Sequence, residues 1–335
     1  MAESSRKIKW GILGTGGIAE KFATDLVHAE NGELYAAGSR TKEKAASFAE
    51  KYSIPHAYGS YDELVQDPDV EAIYVATPHP FHKENVLSAL HAGKAVLCEK
   101  PMTVNAKELE ELVATAREKN LFLMEAMWSR FLPALIKVRE WIDAGKIGEV
   151  KIVKAEFGFH IGWDPEGRLL NPALGGGALL DAGIYPVSFA SMIFGPNPER
   201  LWTTAHIGET GVDEHFSILL DYGEGKTASL HGGVRLHLPN DAFIHGTKGY
   251  IHVPQFLFAD QATLHVNGEE PELFKDNRAD QGISGYKFEA EEVGRALLEG
   301  KKESSVITLD ESLDIMRLLD QVRAEWGLTY PFEEK

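Results

Sequence analysis

The sequence predicts an α/β protein in two parts, an N-terminal doubly wound parallel sheet and a C-terminal α+β domain with a large, mostly antiparallel open sheet. Three observations predict it. A glycine-rich turn, Gly14-Thr15-Gly16-Gly17-Ile18-Ala19, separates an apolar run from a helical pattern near the start of the chain. Short apolar runs then alternate with longer amphipathic ones to about residue 125, which implies parallel strands joined by crossover helices. Beyond Pro133 the pattern changes to strand-like stretches divided by glycine turns such as Tyr222-Gly223-Glu224-Gly225, the mark of antiparallel pairing.

In chain order, strands are expected over residues 8–13, 33–39, 72–76, 95–99 and 121–125. Helices are expected between them over 18–28, 42–52, 81–92 and 106–119, with a short one over 61–65 before the turn Asp67-Pro68-Asp69. Asn105 stands where a helix cap belongs, with Glu108 three residues on, and Asn120 closes that helix. A linking helix over 135–144 ends at Gly145-Lys146-Ile147-Gly148. Strands follow over 150–159, 200–207, 216–222, 227–234, 242–246, 249–253 and 262–266, interrupted by a helix around 179–194. Helices over 287–299 and 309–326 close the chain. The expected domains are residues 1–128 and 129–335, with the last helices free to pack back on the first domain.

A length of 335 residues suits two domains of ordinary size, and 44% hydrophobic with 25% charged residues supports a sizeable core. The formal net charge of −17 argues against nucleic acid or an anionic membrane as the main partner, since either wants a basic face. The single cysteine, Cys98, excludes an internal disulfide and suits a reducing compartment. Met1 to Lys7 is short and polar, and no run reaches the ~18 apolar residues of a spanning helix, so a cytoplasmic protein is expected.

In Gly14-x-Gly16-x-x-Ala19, Gly14 allows a sharp turn, Gly16 allows backbone to approach a diphosphate, and Ala19 allows close helix packing. Thr15, Gly17 and Ile18 complete the turn, whose helix amides carry partial positive charge. The second strand ends in Gly38-Ser39-Arg40-Thr41, with no carboxylate before Glu43. An acidic residue there would accept from an adenosine ribose, whereas a phosphate on that ribose wants a cation. Ser39, Arg40 and Thr41 therefore favour NADP(H), with NAD(H) possible.

Two further segments, Thr77-Pro78-His79-Pro80-Phe81-His82 and Glu99-Lys100-Pro101, end strands where the cofactor's reactive end is expected. Lys100 precedes proline, which steers its backbone away from helix. Its ammonium either holds a substrate hydroxyl or simply opens a surface loop. His79 and His82 are three apart, but no third ligand has suitable spacing, so capping or hydroxyl contact is expected rather than metal. In Gly175-Gly176-Gly177-Ala178-Leu179-Leu180-Asp181-Ala182-Gly183-Ile184-Tyr185, Asp181 and Tyr185 share a helical face. A phenol ionises near pH ~10, so Tyr185 needs a nearby cation such as Lys100 to work as a base. Arg168, just upstream, either reaches a cofactor phosphate or pins the loop. Trp128, Phe131, Phe157, Phe159 and Trp163 are either core or the apolar wall of a ring-shaped substrate's pocket, with His237 and Phe243 as further candidates on the second sheet.

Together with Glu125-Ala126-Met127-Trp128-Ser129-Arg130-Phe131 and Trp326-Gly327-Leu328-Thr329-Tyr330-Pro331, these motifs resemble the Gfo/Idh/MocA oxidoreductase family along nearly the whole chain. Within it, the chain is most similar to the branch of dimeric dihydrodiol dehydrogenases and NADP-dependent D-xylose dehydrogenases. The resemblance implies a Rossmann domain, a second domain whose open sheet often forms a homodimer, and a small polyhydroxy substrate. It implies Lys100 and Tyr185 as the catalytic pair, Asp181 beside the substrate, and cofactor contacts from Thr77, Pro78, His79, His82, Glu99, Trp128 and Arg168. Many relatives carry histidine at the tyrosine's position, and Tyr185 agrees with the narrower branch. Relatives often have Trp-Arg where this chain has Gly167-Arg168, which leaves the arginine's orientation open. The expected reaction is hydride transfer between a nicotinamide and the hydroxyl carbon of a sugar, polyol or trans-dihydrodiol. The alternatives are NADPH-dependent reduction of a dicarbonyl sugar of the osone or anhydrofructose type, and a non-catalytic dinucleotide-sensing regulator.

Overall fold

The computed structural model describes residues 6–333; the first five residues, part of the polar start read above, and the last two lie outside it. The chain divides into two compact units, one of Met1–Thr103, Lys107–Trp128 and Asp280–Ser312, the other of Val104–Ala106, Ser129–Ala279 and Leu313–Lys335.

The first unit alternates strand and helix: β1 (Ile8–Leu13), α1 (Gly17–Leu26), β2 (Gly32–Gly38), α2 (Lys42–Tyr52), β3 (His56–Tyr58), α3 (Tyr61–Gln66), β4 (Ala72–Val75), α4 (His82–His91), β5 (Ala95–Glu99), α5 (Ala106–Glu118) and β6 (Leu123–Ala126). All six strands are parallel, in the order β3-β2-β1-β4-β5-β6. β4, and β5 up to its last residue Glu99, are buried apolar runs, as strands covered on both faces must be. The sequence pattern missed β3, because three residues at a sheet edge, one exposed and two half-buried, carry no periodicity. The strand order reverses between β1 and β4, and ligands of open α/β sheets bind outside the carboxyl ends of the strands at such a switch point. Phe22 of α1 stacks on Tyr74 of β4 with ring centroids 3.8 Å apart, and Trp10 meets Phe22 edge-on at 5.4 Å, which seats α1 on the sheet.

The second unit begins with α6 (Pro133–Asp143) and β7 (Val150–Gly158), continues with α7 (Ile184–Phe194), and adds β8 (Arg200–Ile207), β9 (Asp213–Asp221), β10 (Thr227–Gly233), β11 (Ala242–Gly246), β12 (Gly249–Val253), β13 (Gln261–Val266) and β14 (Glu272–Lys275). These make one eight-stranded sheet, β14-β13-β12-β11-β7-β10-β9-β8, antiparallel except where β10 meets β7. β14, exposed at the edge, is a second strand the pattern missed. α8 (Tyr286–Leu298) belongs to the first unit, whereas most of α9 (Leu309–Trp326) belongs to the second.

Alternation makes this sheet two-faced. Val153, Leu220, Ala228, Ile244, Ile251 and Leu264 are buried on the face that α6 and α7 cover. On the opposite face, cross-strand neighbours form one row through all eight strands: Trp202, Leu219, Ser229, Lys154, Phe243, His252, Thr263 and Leu273. Trp202 is 51% exposed and Leu219 43%.

Residues 172–194 correct one expectation, because this helical stretch is long and apolar enough, by composition, to cross a membrane. Its window is 83% buried within the protein, as suits a core helix. The expected helix over 179–194 is also not uniform: Leu179–Gly183 is a π-turn, and the α-helix begins at Ile184.

Candidate active site

In the first unit, parallel register aligns Leu13 with Gly38 and Val75, Val75 with Cys98, and Glu99 with Ala126. The residues just beyond these positions therefore line one edge of the sheet. Gly14 has φ +108°, and a Cβ there would lie 2.9 Å from the Ala76 carbonyl, so only glycine lets the β1 and β4 loops pass. Gly16 precedes α1 with no side-chain cap, and Cβ atoms on Gly16 or Gly17 would meet nothing within 4 Å. The first amides of α1 thus face open space, which fits a diphosphate. Ala19 is buried and Ile18 half-buried. The Thr15 and Ser39 hydroxyls hydrogen-bond at 3.2 Å. Arg40 is exposed at the end of β2, where the residues fit an adenosine phosphate. Thr41 has structural work of its own, accepting from the Lys44 amide as the cap of α2.

His82 ties two of these loops together. Its Nε2 lies 2.6 Å from the Thr77 carbonyl and its Nδ1 2.9 Å from the Pro101 carbonyl. Burial pushes its pKa down to about 4, with the Lys100 charge adding to that, although both carbonyls favour the charged ring. At neutral pH the ring is uncharged and donates its single N–H to one of the two carbonyls. The side chain expected among cofactor contacts is instead a wholly buried brace between loops. Thr77 Oγ1 accepts from Asn85, Pro78 is exposed, and His79 is buried in the 3-10 turn that follows.

Glu99 turns inward, accepting from the Tyr74 hydroxyl and, at 3.2 Å, from the Lys100 amide. Lys100 itself is half-buried and followed by a cis peptide to Pro101. Glu125, in β6 and not among the expected site residues, holds this loop: it accepts from the Met102 amide at 3.0 Å and from Ser312 Oγ at 2.9 Å. Trp128 is 1% exposed and stacks on Tyr286 at 4.7 Å, so it is core. Among the described residues no group of three or more His, Cys, Asp or Glu is arranged to hold a metal ion.

In the second unit, Gly175 (φ +68°) and Gly177 (φ +117°) turn the chain into the π-turn, which carries Asp181, and α7, which carries Tyr185 in its first turn. Arg168 donates to Asp181 at 2.7 Å, which answers the question of its orientation in this structure: the guanidinium holds the aspartate. Tyr185, 6% exposed, meets Phe157 edge-on at 5.6 Å, and Phe157 meets Phe159 at the same separation. These rings form an apolar wall beside the phenol. Trp163 is 50% exposed, with the Arg235 guanidinium 5.8 Å over its ring, and His237 lies beside His160 at 5.8 Å. Phe131 is core. Phe243 must be removed from the candidate pocket: it pairs with Lys154 and stacks on His252 at 4.3 Å, on the sheet face opposite Phe157.

A parallel sheet of this order with an open glycine turn at its switch point, joined to an α+β unit presenting aspartate and tyrosine, defines a two-domain dinucleotide-dependent oxidoreductase. The chain belongs to the Gfo/Idh/MocA family. Residues 8–127 match its oxidoreductase, NAD-binding Rossmann fold, and residues 135–252 match its C-terminal domain. The chain is 45% identical to trans-1,2-dihydrobenzene-1,2-diol dehydrogenase of Mus musculus over 336 residues, covering 98% of this chain and 99% of that protein. It is 41% identical to the Homo sapiens protein of the same name, again covering 98% and 99%. Among solved structures it resembles an aldose-aldose oxidoreductase of Caulobacter crescentus complexed with glycerol (TM-score 0.86, 27% identity, 96% of this chain and 98% of that one). It also resembles the 3-ketoreductase KijD10 of Actinomadura kijaniata in complex with NADP and TDP-benzene (TM-score 0.82, 27% identity, 95% and 98%). The chain is an NAD(P)-dependent oxidoreductase.

Proposed function

We propose that the chain oxidises a hydroxyl carbon of a trans-dihydrodiol, with aldoses and polyols as related substrates, using NADP+. The observation that carries this reading is identity of 45% to a trans-dihydrodiol dehydrogenase across both full lengths. The preference for NADP+ rests on Arg40, in a strand end that offers no carboxylate. When bound, the nicotinamide supplies the hydride acceptor. Tyr185 takes the proton of the reacting hydroxyl at its phenolic oxygen, and Phe157 and Phe159 keep water from that oxygen. The family resemblance assigns Lys100 as the cation whose ammonium favours the phenolate and the developing alkoxide. Asp181, oriented by Arg168, accepts from a neighbouring substrate hydroxyl. KijD10 has been solved with a lysine-to-alanine and a tyrosine-to-phenylalanine change, the residue types assigned here.

We further propose a homodimer through the open face of the second sheet. Eight strands at ~4.8 Å spacing present on the order of 700 Å², close to the ~800 Å² per partner of a standard interface. The central row of that face contains one ordinary charge, Lys154, and two residues along the strands, on the same face, Arg200 and Lys275 balance Asp221 and Glu156. On a chain of net charge −17, two copies therefore meet there with little repulsion. The lone cysteine, Cys98, is buried, and we place the protein in the cytoplasm.

The test is steady-state absorbance at the reduced-nicotinamide band, offering NADP+ or NAD+ with trans-dihydrodiols, aldoses and inositols, on wild type and Tyr185→Phe. Turnover of a dihydrodiol with NADP+, lost by about 100-fold or more in the variant, is expected. Normal turnover in Tyr185→Phe would remove the phenol from the chemistry.

A further inference from the structure

We propose that Asp213 is a positioning residue for the reaction: its carboxylate, seated against the glycine turn at 175–177, sets where the following π-turn presents Asp181 and Tyr185. The proposal rests on the reading of those two residues given above.

The π-turn at Leu179–Gly183 is an uncommon conformation whose hydrogen bonds are spaced one residue wider than an α-helix's. Such a turn needs fixing from outside. Asp213, at the start of β9, is fully buried, and its Oδ2 accepts from the Leu179 amide at 2.6 Å, at the residue where the turn begins. The carboxylate reaches that amide because Gly177 makes room: a Cβ there would lie 2.2 Å from Asp213 Oδ1. Oδ1 has no hydrogen-bond partner among the described residues.

The neighbouring glycine is held from the C-terminal segment. Tyr330, wholly buried, donates its hydroxyl to the Gly176 carbonyl at 2.7 Å. Its ring lies 5.1 Å beneath the Arg323 guanidinium, which in turn bonds Glu333 at 2.8 and 2.9 Å and Asp320 at 2.8 Å. Two side chains remote in sequence thus hold the segment at both ends, Tyr330 at the Gly176 carbonyl and Asp213 at the Leu179 amide. Any slack at 176–177 passes directly into the turn carrying Asp181 and, one turn later, Tyr185.

Asp213 also carries a chemical signature. Burial raises its pKa to about 7, opposed by the Leu179 amide, its own amide, the Arg323 charge and the Ala178 amide; Tyr330 is the other titratable group facing it. The strength of its bond to Leu179 therefore changes around pH 7, because an ionised acceptor binds an amide more tightly than a neutral one.

The test uses the full-length enzyme with NADP+ and its best dihydrodiol or aldose. Asp213→Asn keeps size and an acceptor but removes the charge. The expected result is a fall in kcat of about tenfold or more, a cofactor Kd within about twofold of wild type, and loss of the ionisation near pH 7 from the kcat profile. Tyr330→Phe, which deletes one hydroxyl, is expected to lower kcat by a smaller factor with the pH profile unchanged, and it serves if the first variant fails to fold. Wild-type kcat in either folded variant, alongside a Tyr185→Phe control that has lost turnover, overturns the proposal. Wild-type kcat in the Tyr185→Phe control as well overturns the catalytic assignment beneath it.

Discussion

At the scale of single residues, the cofactor edge is a matter of what is missing as much as what is present. Gly16 and Gly17 leave the α1 amides uncovered, and β2 ends without a carboxylate. Arg40→Ser is expected to raise KM for NADP+ by about 10- to 100-fold, the loss of one charge-assisted contact worth ~1.5–3 kcal/mol, while KM for NAD+ stays near its original value. Initial rates with both cofactors check it, and equal changes in the two would remove the arginine from discrimination. This part of the site was legible because backbone freedom and charge at a strand end are local properties. Asp213 was not legible. As one carboxylate beside Glu214 it reads as solvated surface, and only the contact to Leu179, supplied by the tertiary fold, reveals it. Arg168 was half legible: its presence near the site could be read, but its partner, Asp181, could not.

At the scale of elements, α8 shows how the first unit secures a helix recruited from the far end of the chain. Asp25 of α1 accepts from the amides of Ser284, Gly285 and Tyr286 at 3.0, 2.6 and 2.8 Å, closing the N-terminus of α8. One turn on, Glu289 is fully buried, with neither carboxyl oxygen hydrogen-bonded among the described residues. Burial raises its pKa well above the ordinary value, and the charges of Glu99 and Asp25 add to that. A carboxyl whose folded pKa lies above its unfolded value of ~4.3 supports folding fully below that pH and loses its contribution as pH rises. Glu289→Gln removes this dependence. Its stability relative to wild type is expected to grow from pH 4.5 upward, by at most ~1.4 kcal/mol per pH unit, read from urea midpoints across pH 4–8. Parallel midpoint curves for the two proteins would show that the acid is not held neutral. Elements with strong periodicity, such as Lys42–Tyr52 and Leu309–Trp326, were read to the residue, whereas the π-turn was hidden inside an apolar stretch that satisfies a helix of any pitch. The charge of Glu99, whose carboxylate accepts from the Lys100 amide, is thus felt at Glu289 of α8.

At the scale of the whole molecule, the class of each sheet was readable and its strand order was not. Alternation of strand and helix dictates a parallel sheet, and glycine-punctuated strands an antiparallel one, but nothing local says that β7 lies between β10 and β11. The open face of that sheet carries the prediction for assembly. Trp202→Asp or Leu219→Asp places a carboxylate in the middle of an apolar pair of cross-strand neighbours. Either is expected to convert a two-chain species to a one-chain species in light scattering, with the first unit's cofactor affinity unchanged. An unchanged mass would move the interface elsewhere. The central place of β7 has a further consequence for how the chain is made. Its backbone partners arrive only when synthesis has reached Thr227 and then Ala242, so this long strand leaves the ribosome with both edges bare. Until then it is an adhesive template for other nascent chains, and yield in the cell will depend on holdase chaperones and translation speed more than on the stability of the finished enzyme.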